Sequence, residues 1–360
     1  MTKRAYTVVL IVPTGIGATI GGYAGDALPV ARMIAQVCDR LITHPNVLNG
    51  AQLYWNLPNA LYVEGYGLDQ VAAGNWGLRP VHQNRIGLIL DRGIEPDLRL
   101  RHLQAADAAR ATLGLNLTEY VITDQPLNVE LKTANSGAAW GTIEHPDSLL
   151  RAADKLIHKV GATAIAVVAR FPDDCGSQAL QNYRHGQGVD PLAGAEAVIS
   201  HLIVRTFQIP CAHAPALLPL PLDVELSPRS AAEELGFTFL PCVLVGLSRA
   251  PQFTTRSVLS MVQASDVWAD QVDAIVIPAN ACGGSAVMSL SQSNTKIIAV
   301  RENHTQMQVP PESLGINAIA VNSYLEALGM LVCDRAGIEP NALNPAIAPL
   351  RCLEVESIVH

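Results

Sequence analysis

The chain has few aromatic residues, little charge and no long hydrophobic run. Aromatics make up 5% of its 360 residues and charged residues 16%. So few large rings disfavour an all-β sandwich, whereas close-packed α/β layers accommodate an Ala-, Gly- and Val-rich composition. No apolar stretch approaches the about 18 residues of a membrane-crossing helix, so neither a span nor a membrane partner is expected. There is no block of Lys or Arg and the formal net charge is −8, which argues against nucleic acid. The seven cysteines are scattered singly without a CxxC pair. That pattern implies reduced thiols in a cytoplasmic setting rather than a disulfide framework. The opening MTKRAYTVVLIVPTG has the basic start of a signal peptide, but its apolar run spans only Val8 to Val12 before Pro13, and a first strand explains it better.

What is present is apolar mass: 49% of the residues are hydrophobic, enough to bury a large core. Short β-branched runs alternate with helical spacing, the pattern of an α/β protein. We expect two doubly wound, mostly parallel-sheet lobes with helices on both faces and a cleft between them. The N-terminal lobe would span residues 1–207 and carry a loop-rich insertion at 46–84. A Pro-rich linker at 208–223 would lead to a Rossmann-like lobe at 224–340 and a tail at 341–360. Within this frame a first helix runs from Ala27 to Leu41 and a strand covers Leu240–Leu247. Another helix lies around Thr255–Ala264, and residues 171–191 form a loop.

The chemistry concentrates where apolar runs end. Ile297–Val300 is followed by Glu302, Asn303, His304 and Thr305, and Ala274–Ile277 by Asn280, Cys282, Gly283, Gly284 and Ser285. In an open parallel sheet, ligands bind just beyond the carboxyl ends of strands, where helix starts present free N–H groups. The amides of Gly283, Gly284 and Ser285 would hold a carboxylate or phosphate, and a helix start beside Cys282 would favour its thiolate. Glu302, His304 or Cys282 would then move protons. The turn Thr14, Gly15, Gly17 after the first strand offers a second cradle for the same anion, with Arg170 and Arg249 as clamps. Its glycines miss the G-x-G-x-x-G spacing because Ile20 takes the third position, so a dinucleotide with Asp39 on its ribose is a lesser alternative. His44, Glu64 and Asp91 end other strands and suit a hard divalent metal such as Mg. Cys211-Ala212-His213 matches no metal or protease spacing and is assigned to a loop.

The motifs I-V-P-T-G-I-G-A-x-I-G-G-Y-A-G-D, L-I-T-H-P-N-V and P-A-N-A-C-G-G-S…R-E-N-H-T resemble a family of unknown function shared by cyanobacteria and plant plastids, over nearly the whole length. The resemblance implies a photosynthetic source but no activity. A weaker similarity links N-A-C to the Cys loops of aspartate/glutamate-racemase-like enzymes, whose Cys-Asn-Thr run is absent here. The reading is therefore a soluble cytoplasmic enzyme, a hydrolase, lyase or isomerase sooner than an oxidoreductase, acting on a small anionic metabolite. The alternatives are a metabolite-sensing or assembly protein without turnover, and an NAD(P)-dependent oxidoreductase. A homo-oligomer is expected because most soluble oligomers are symmetric copies.

Overall fold

The computed structural model describes residues 4–49, 53, 55–173, 177–237, 240–256 and 262–352. Its elements follow in chain order: β1 (Thr7–Leu10), α1 (Leu28–Val37), β2 (Arg40–Thr43), α2 (Pro45–Leu48), β3 (Ala60–Tyr62), α3 (Gly65–Ala72) and β4 (Gly77–Arg79). Next come β5 (Ile86–Leu90), α4 (Pro96–Leu113), β6 (Leu117–Ile122), β7 (Val129–Thr133), β8 (Ala139–Ile143), α5 (Pro146–Val160), β9 (Ala164–Arg170), α6 (Gln178–Arg184), α7 (Ala193–Phe207) and β10 (Cys211–Ala216). The chain closes with α8 (Pro228–Ala232), a π-helical turn at Glu233–Phe237, α9 (Leu240–Ser248), β11 (Gln252–Thr254), β12 (Ala274–Pro278), α10 (Ser285–Leu290), β13 (Lys296–Val300), β14 (Ala318–Val321) and α11 (Tyr324–Ala336).

This is an α/β fold with parallel and antiparallel sheets. Six parallel strands run in the order β14-β13-β12-β1-β2-β3, and four parallel strands in the order β10-β9-β5-β6. Two antiparallel pairs, β11-β4 and β7-β8, complete the set. The first sheet draws strands from both ends of the chain, and the second is inserted between β3 and β12. The division into residues 1–207 and 224–340 therefore does not separate the two sheets.

Alternation along the strands builds the core. Val8 and Leu10 point to one face, where Ile34 of α1 and Leu331 of α11 cover them; Val9, Ile275 and Ile277 point to the other, against Leu68 of α3 and Val287 of α10. The second sheet divides the same way. Leu90 and Val168 meet Val243 and Leu247 of α9, while Ile89 and Val167 meet Leu149 of α5 and Ile203 of α7. Each core cluster holds side chains from both sheets, so the sheets are held by shared packing.

Several local expectations are corrected. Helical spacing carries the expected first helix to Leu41, but Cys38 is extended (φ −123°, ψ 159°) and Arg40–Thr43 form β2. Leu240–Leu247 is helix α9, not a strand: a continuous apolar run reads equally as either, and burial against two elements decides it. The proposed linker 208–223 contains β10, whose Pro215 is tolerated because β10 is an edge strand. The insertion 46–84 holds α3, started by Glu64, whose carboxylate accepts the N–H groups of Tyr66 and Gly67. The 171–191 loop holds α6, and residues 257–261 of the expected helix around Thr255–Ala264 lie outside the described residues. Among the described residues no single helix is long and apolar enough to cross a membrane.

Gly194 lets α7 lie directly on β8: a Cβ there would stand 2.3 Å from the Ala139 carbonyl and from Trp140 Cα. Gly194→Ala is expected to cost about 1–3 kcal/mol by forcing these elements apart. Gly329, inside α11 with open space around it, is the counterpart. Gly329→Ala is expected to stabilise by about 0.5–1 kcal/mol. Urea unfolding of the two variants checks both signs.

Candidate functional site

The carboxyl ends of β1, β2, β3 and β12 and those of β9 and β10 open on one cavity of about 1230 Å³. β1 and β12 are neighbours whose following helices go to opposite faces, α1 to one and α10 to the other. Their connecting loops must diverge, and a crevice opens between them. Thr14 after β1, His44 after β2, Glu64 after β3, and Gly283, Gly284 and Ser285 after β12 all line it. Thr14 and the turn of Gly283, Gly284 and Ser285, far apart in the chain, thus share one cavity, while Gly15 and Gly17 do not line it. Much of the remaining wall is apolar, with Ile11, Leu68, Leu98, Leu192, Leu217 and Leu240.

Other expected residues build the wall from behind. The loops after β1, β12 and β13 are stitched together. Gln306 N–H donates to Ile16 O (2.8 Å), Thr19 N–H to His304 O (2.9 Å) and Cys282 N–H to Val309 O (2.9 Å). Asn303, almost fully buried, accepts from Ile20 N–H and donates to Ile20 O, with a further donation to the Tyr324 hydroxyl. Asn280 donates to Thr305 O and accepts from the Thr305 hydroxyl. Gly15 and Gly17 adopt φ +69° and +64°, which side chains rarely take, and Gly15 O accepts from Ala139 N–H. None of Glu302, Asn303, His304, Thr305, Asn280 or Cys282 lines the cavity.

Three expectations about these groups are corrected. Cys282 is fully buried beside the carbonyls of Pro278 and Ala279, and burial pushes its thiol up to about 11, opposite to an activated thiolate. Glu302 accepts the Tyr324 N–H at 2.7 Å and so anchors the first turn of α11. The start of α10 already holds an anion, because Asp69 of α3 accepts the Ala286 N–H at 3.0 Å.

The arginine clamps and the metal set also disperse. Arg170 binds Glu95 (2.9 Å) and Asp173, and Arg249 donates to Asn56. Asp91 is buried outside the cavity wall, accepting N–H groups from Gly93, Leu127 and Arg170. Among the described residues no group of three or more His, Cys, Asp or Glu is placed to hold a metal. Asp39 stands before β2, at the amino end of the sheet, bound to Tyr6 N–H and Arg335. It is on the wrong end for a ribose contact.

The groups that do face the cavity were mostly missed in the sequence. Glu64 bridges α3 and α7: one oxygen caps α3 and the other lies 2.8 Å from His201 Nε2. His44 is buried and accepts the Val12 N–H at 3.1 Å; burial lowers its pKa to about 4, so the ring is neutral. Asp190, Glu196 and Glu233 also line the cavity, with His213 3.7 Å from Glu196 and 2.8 Å from the Ser200 hydroxyl. His213, assigned to a loop, is on β10 and in the wall. The available signal was in α7, where Glu196 and Ser200, one turn apart, and the adjacent His201 interrupt an apolar run that ends at Arg205. The raised pKa of Asp190 comes first from burial and then from Glu196; that of Glu233 comes first from burial and then from Asp190.

The His201–Glu64 pair gives a pH-dependent contribution. Burial lowers the His201 pKa, but the Glu64 hydrogen bond and the charges of Glu64 and Asp69 outweigh it, leaving it raised above 6.5. A raised histidine pKa stabilises the fold below the unfolded value and loses that contribution as pH rises through the folded value. The stability difference between the parent and His201→Ala should therefore be largest near pH 6 and shrink towards pH 9. Thermal melts across that range check it; a constant difference contradicts the pairing.

The chain matches a family model described as Protein of unknown function (DUF3326) over residues 7–344. It is 61% identical over 345 residues to an uncharacterized lipoprotein of Synechococcus sp., covering 96% of this chain and 95% of that protein. No solved structure matches it. The name of the relative overturns the expectation of a soluble, cytoplasmic enzyme without a membrane partner, and the small-anion reading built on it is withdrawn with it. With the family match and the relative covering nearly its whole length, the chain belongs to the cyanobacterial DUF3326 family of proteins of unknown function.

Proposed function

We propose that the protein binds an amphiphile, holding its apolar chain in the 1230 Å³ cavity, and that it works at a membrane surface. The observation that carries this reading is the cavity's wall. The strap that follows β10 lines the inside with Leu217, Pro219 and Leu220. The same strap and the turn beside it also expose Leu222 (98%), Val224 (103%) and Leu235 (73%) to solvent. Leucines this exposed around a cavity mouth suit contact with lipid and entry of an apolar chain from it. A lipoprotein name on a relative 61% identical fits that setting. In this reading the two parallel sheets act as two lobes and the cavity is the cleft between them. Thr14, Gly283, Gly284 and Ser285 contact the ligand along one wall.

Burying a hydrocarbon chain contributes about 0.8 kcal/mol per CH₂, so a short-chain probe is sufficient. 1-Octanol should raise the melting temperature of the full chain in a dose-dependent way, by mass action on the native state. Gly284→Phe, which adds a ring at a cavity position with no neighbour within 4 Å of its Cβ, should reduce that shift while leaving the fold intact. Phosphatidylcholine vesicles should co-float the protein, and Leu222→Asp with Val224→Asp should release it. An absent octanol shift sinks the cavity reading; unchanged flotation of the double variant sinks the membrane contact.

A further inference from the structure

The polar end of the cavity specifies a ligand head group, an inference that rests on the amphiphile reading above. Asp190, Glu196 and Glu233 reach the same wall from three separate segments: the loop before α7, the first turn of α7, and the π-helical turn after α8. Asp190 is only 9% exposed, and its hydrogen bonds are to the backbone N–H groups of Leu192 and Ala193. Glu233 accepts the Tyr183 hydroxyl, and Tyr183 stacks on Tyr23 with ring centres 4.4 Å apart. Glu196 has His213 at 3.7 Å, beyond hydrogen-bonding distance.

Arg101 and Arg184 both line the cavity, and Arg184 is engaged with its own partners. Arg184 binds Glu234 at 2.8 Å and the Pro221 carbonyl at 2.8 Å, and lies 3.8 Å from Asp223. Among the described residues, no lysine or arginine forms an ion pair with Asp190, Glu196 or Glu233. Asp190 is buried and Glu196 and Glu233 are half-buried; with no lysine or arginine paired to them among the described residues, their ionised forms are unfavourable, and a cation entering the cavity relieves them. No metal-holding group is formed by the described residues. A primary ammonium fits the gap better, since it brings three N–H donors on a compact charge and tolerates irregular acceptor geometry.

We propose that the Asp190–Glu196–Glu233 wall seats a primary ammonium group, so that the ligand is an alkylammonium or aminoalkyl amphiphile whose chain runs along the apolar wall. The head group comes either from a free long-chain amine or from an ethanolamine lipid; the chemistry at the wall is the same.

Isothermal titration of the full chain at pH 8 with octylammonium, 1-octanol and octanoate tests this. Octylammonium should bind at least about tenfold more tightly than 1-octanol, as charge-assisted hydrogen bonds require, and octanoate more weakly than either. Its heat should depend on the buffer, because the bound ammonium draws protons off the carboxyls. Asp190→Asn should remove most of the octylammonium advantage and leave octanol binding unchanged; Glu233→Gln serves if the first variant fails to fold. Octyltrimethylammonium, which has no N–H donor, should lose the advantage. Monomeric lysophosphatidylethanolamine separates the two sources: binding tighter than octylammonium assigns a lipid head, weaker binding a free amine. Equal affinity for octanol and octylammonium, or an unaltered preference in both variants, overturns the head-group inference while the cavity reading stands. No binding of any eight-carbon probe removes both.

Discussion

Two adjacent parallel strands, β1 and β12, send their connections to opposite faces of the six-stranded sheet, and the cavity follows from that divergence. A parallel strand pair must pass its chain over one face or the other. Where neighbours choose differently, the loops beyond them cannot pack on each other and a gap is left at the carboxyl ends. The inserted four-stranded sheet brings the ends of β9 and β10 to the same gap, deepening the crevice into a cavity. The shared core clusters then fix the two sheets relative to each other, so the space is held by packing rather than by a hinge.

The chain fills its own helix starts with carboxylates and so changes what the cavity can accept. Asp69 sits on α10, Glu64 on α3 and Glu302 on α11. An external anion would compete with a tethered carboxylate that is already hydrogen-bonded, and would meet Asp190, Glu196 and Glu233 in the same cavity. Both effects disfavour anionic ligands and favour cationic ones. The glycine turns serve close approach of backbone to backbone, as at Gly15 and Ala139, more than the cradling of phosphate.

Much of the scaffold was legible in the sequence because strand-length β-branched runs at Ile86–Leu90, Ala164–Arg170 and Lys296–Val300 leave few alternatives. Helix ends at Gly114, Gly161 and Gly337 were legible for the same local reason, since each takes a left-handed φ. What failed depends on distant partners. Leu240–Ser248 is apolar throughout, and only its place between α4 and the second sheet makes it a helix. The site was half legible: Thr14, Gly283 and Glu64 stand at strand ends, where a rule of position finds them. Asp190, Glu196 and Glu233 carry no motif, because what sets them apart among the described residues is that no lysine or arginine pairs with them, and the partners of Arg184 are tertiary contacts.

The central claim is that this cavity takes an amphiphile with its charged end at the carboxyl wall. The measurement that addresses it most directly is a crystal structure of the full chain grown with octylamine. The account predicts the alkyl chain between Leu68 and Leu217 and the nitrogen within hydrogen-bonding reach of Asp190. Density for the amine only on the outer surface, with the cavity filled by ordered water, would contradict it.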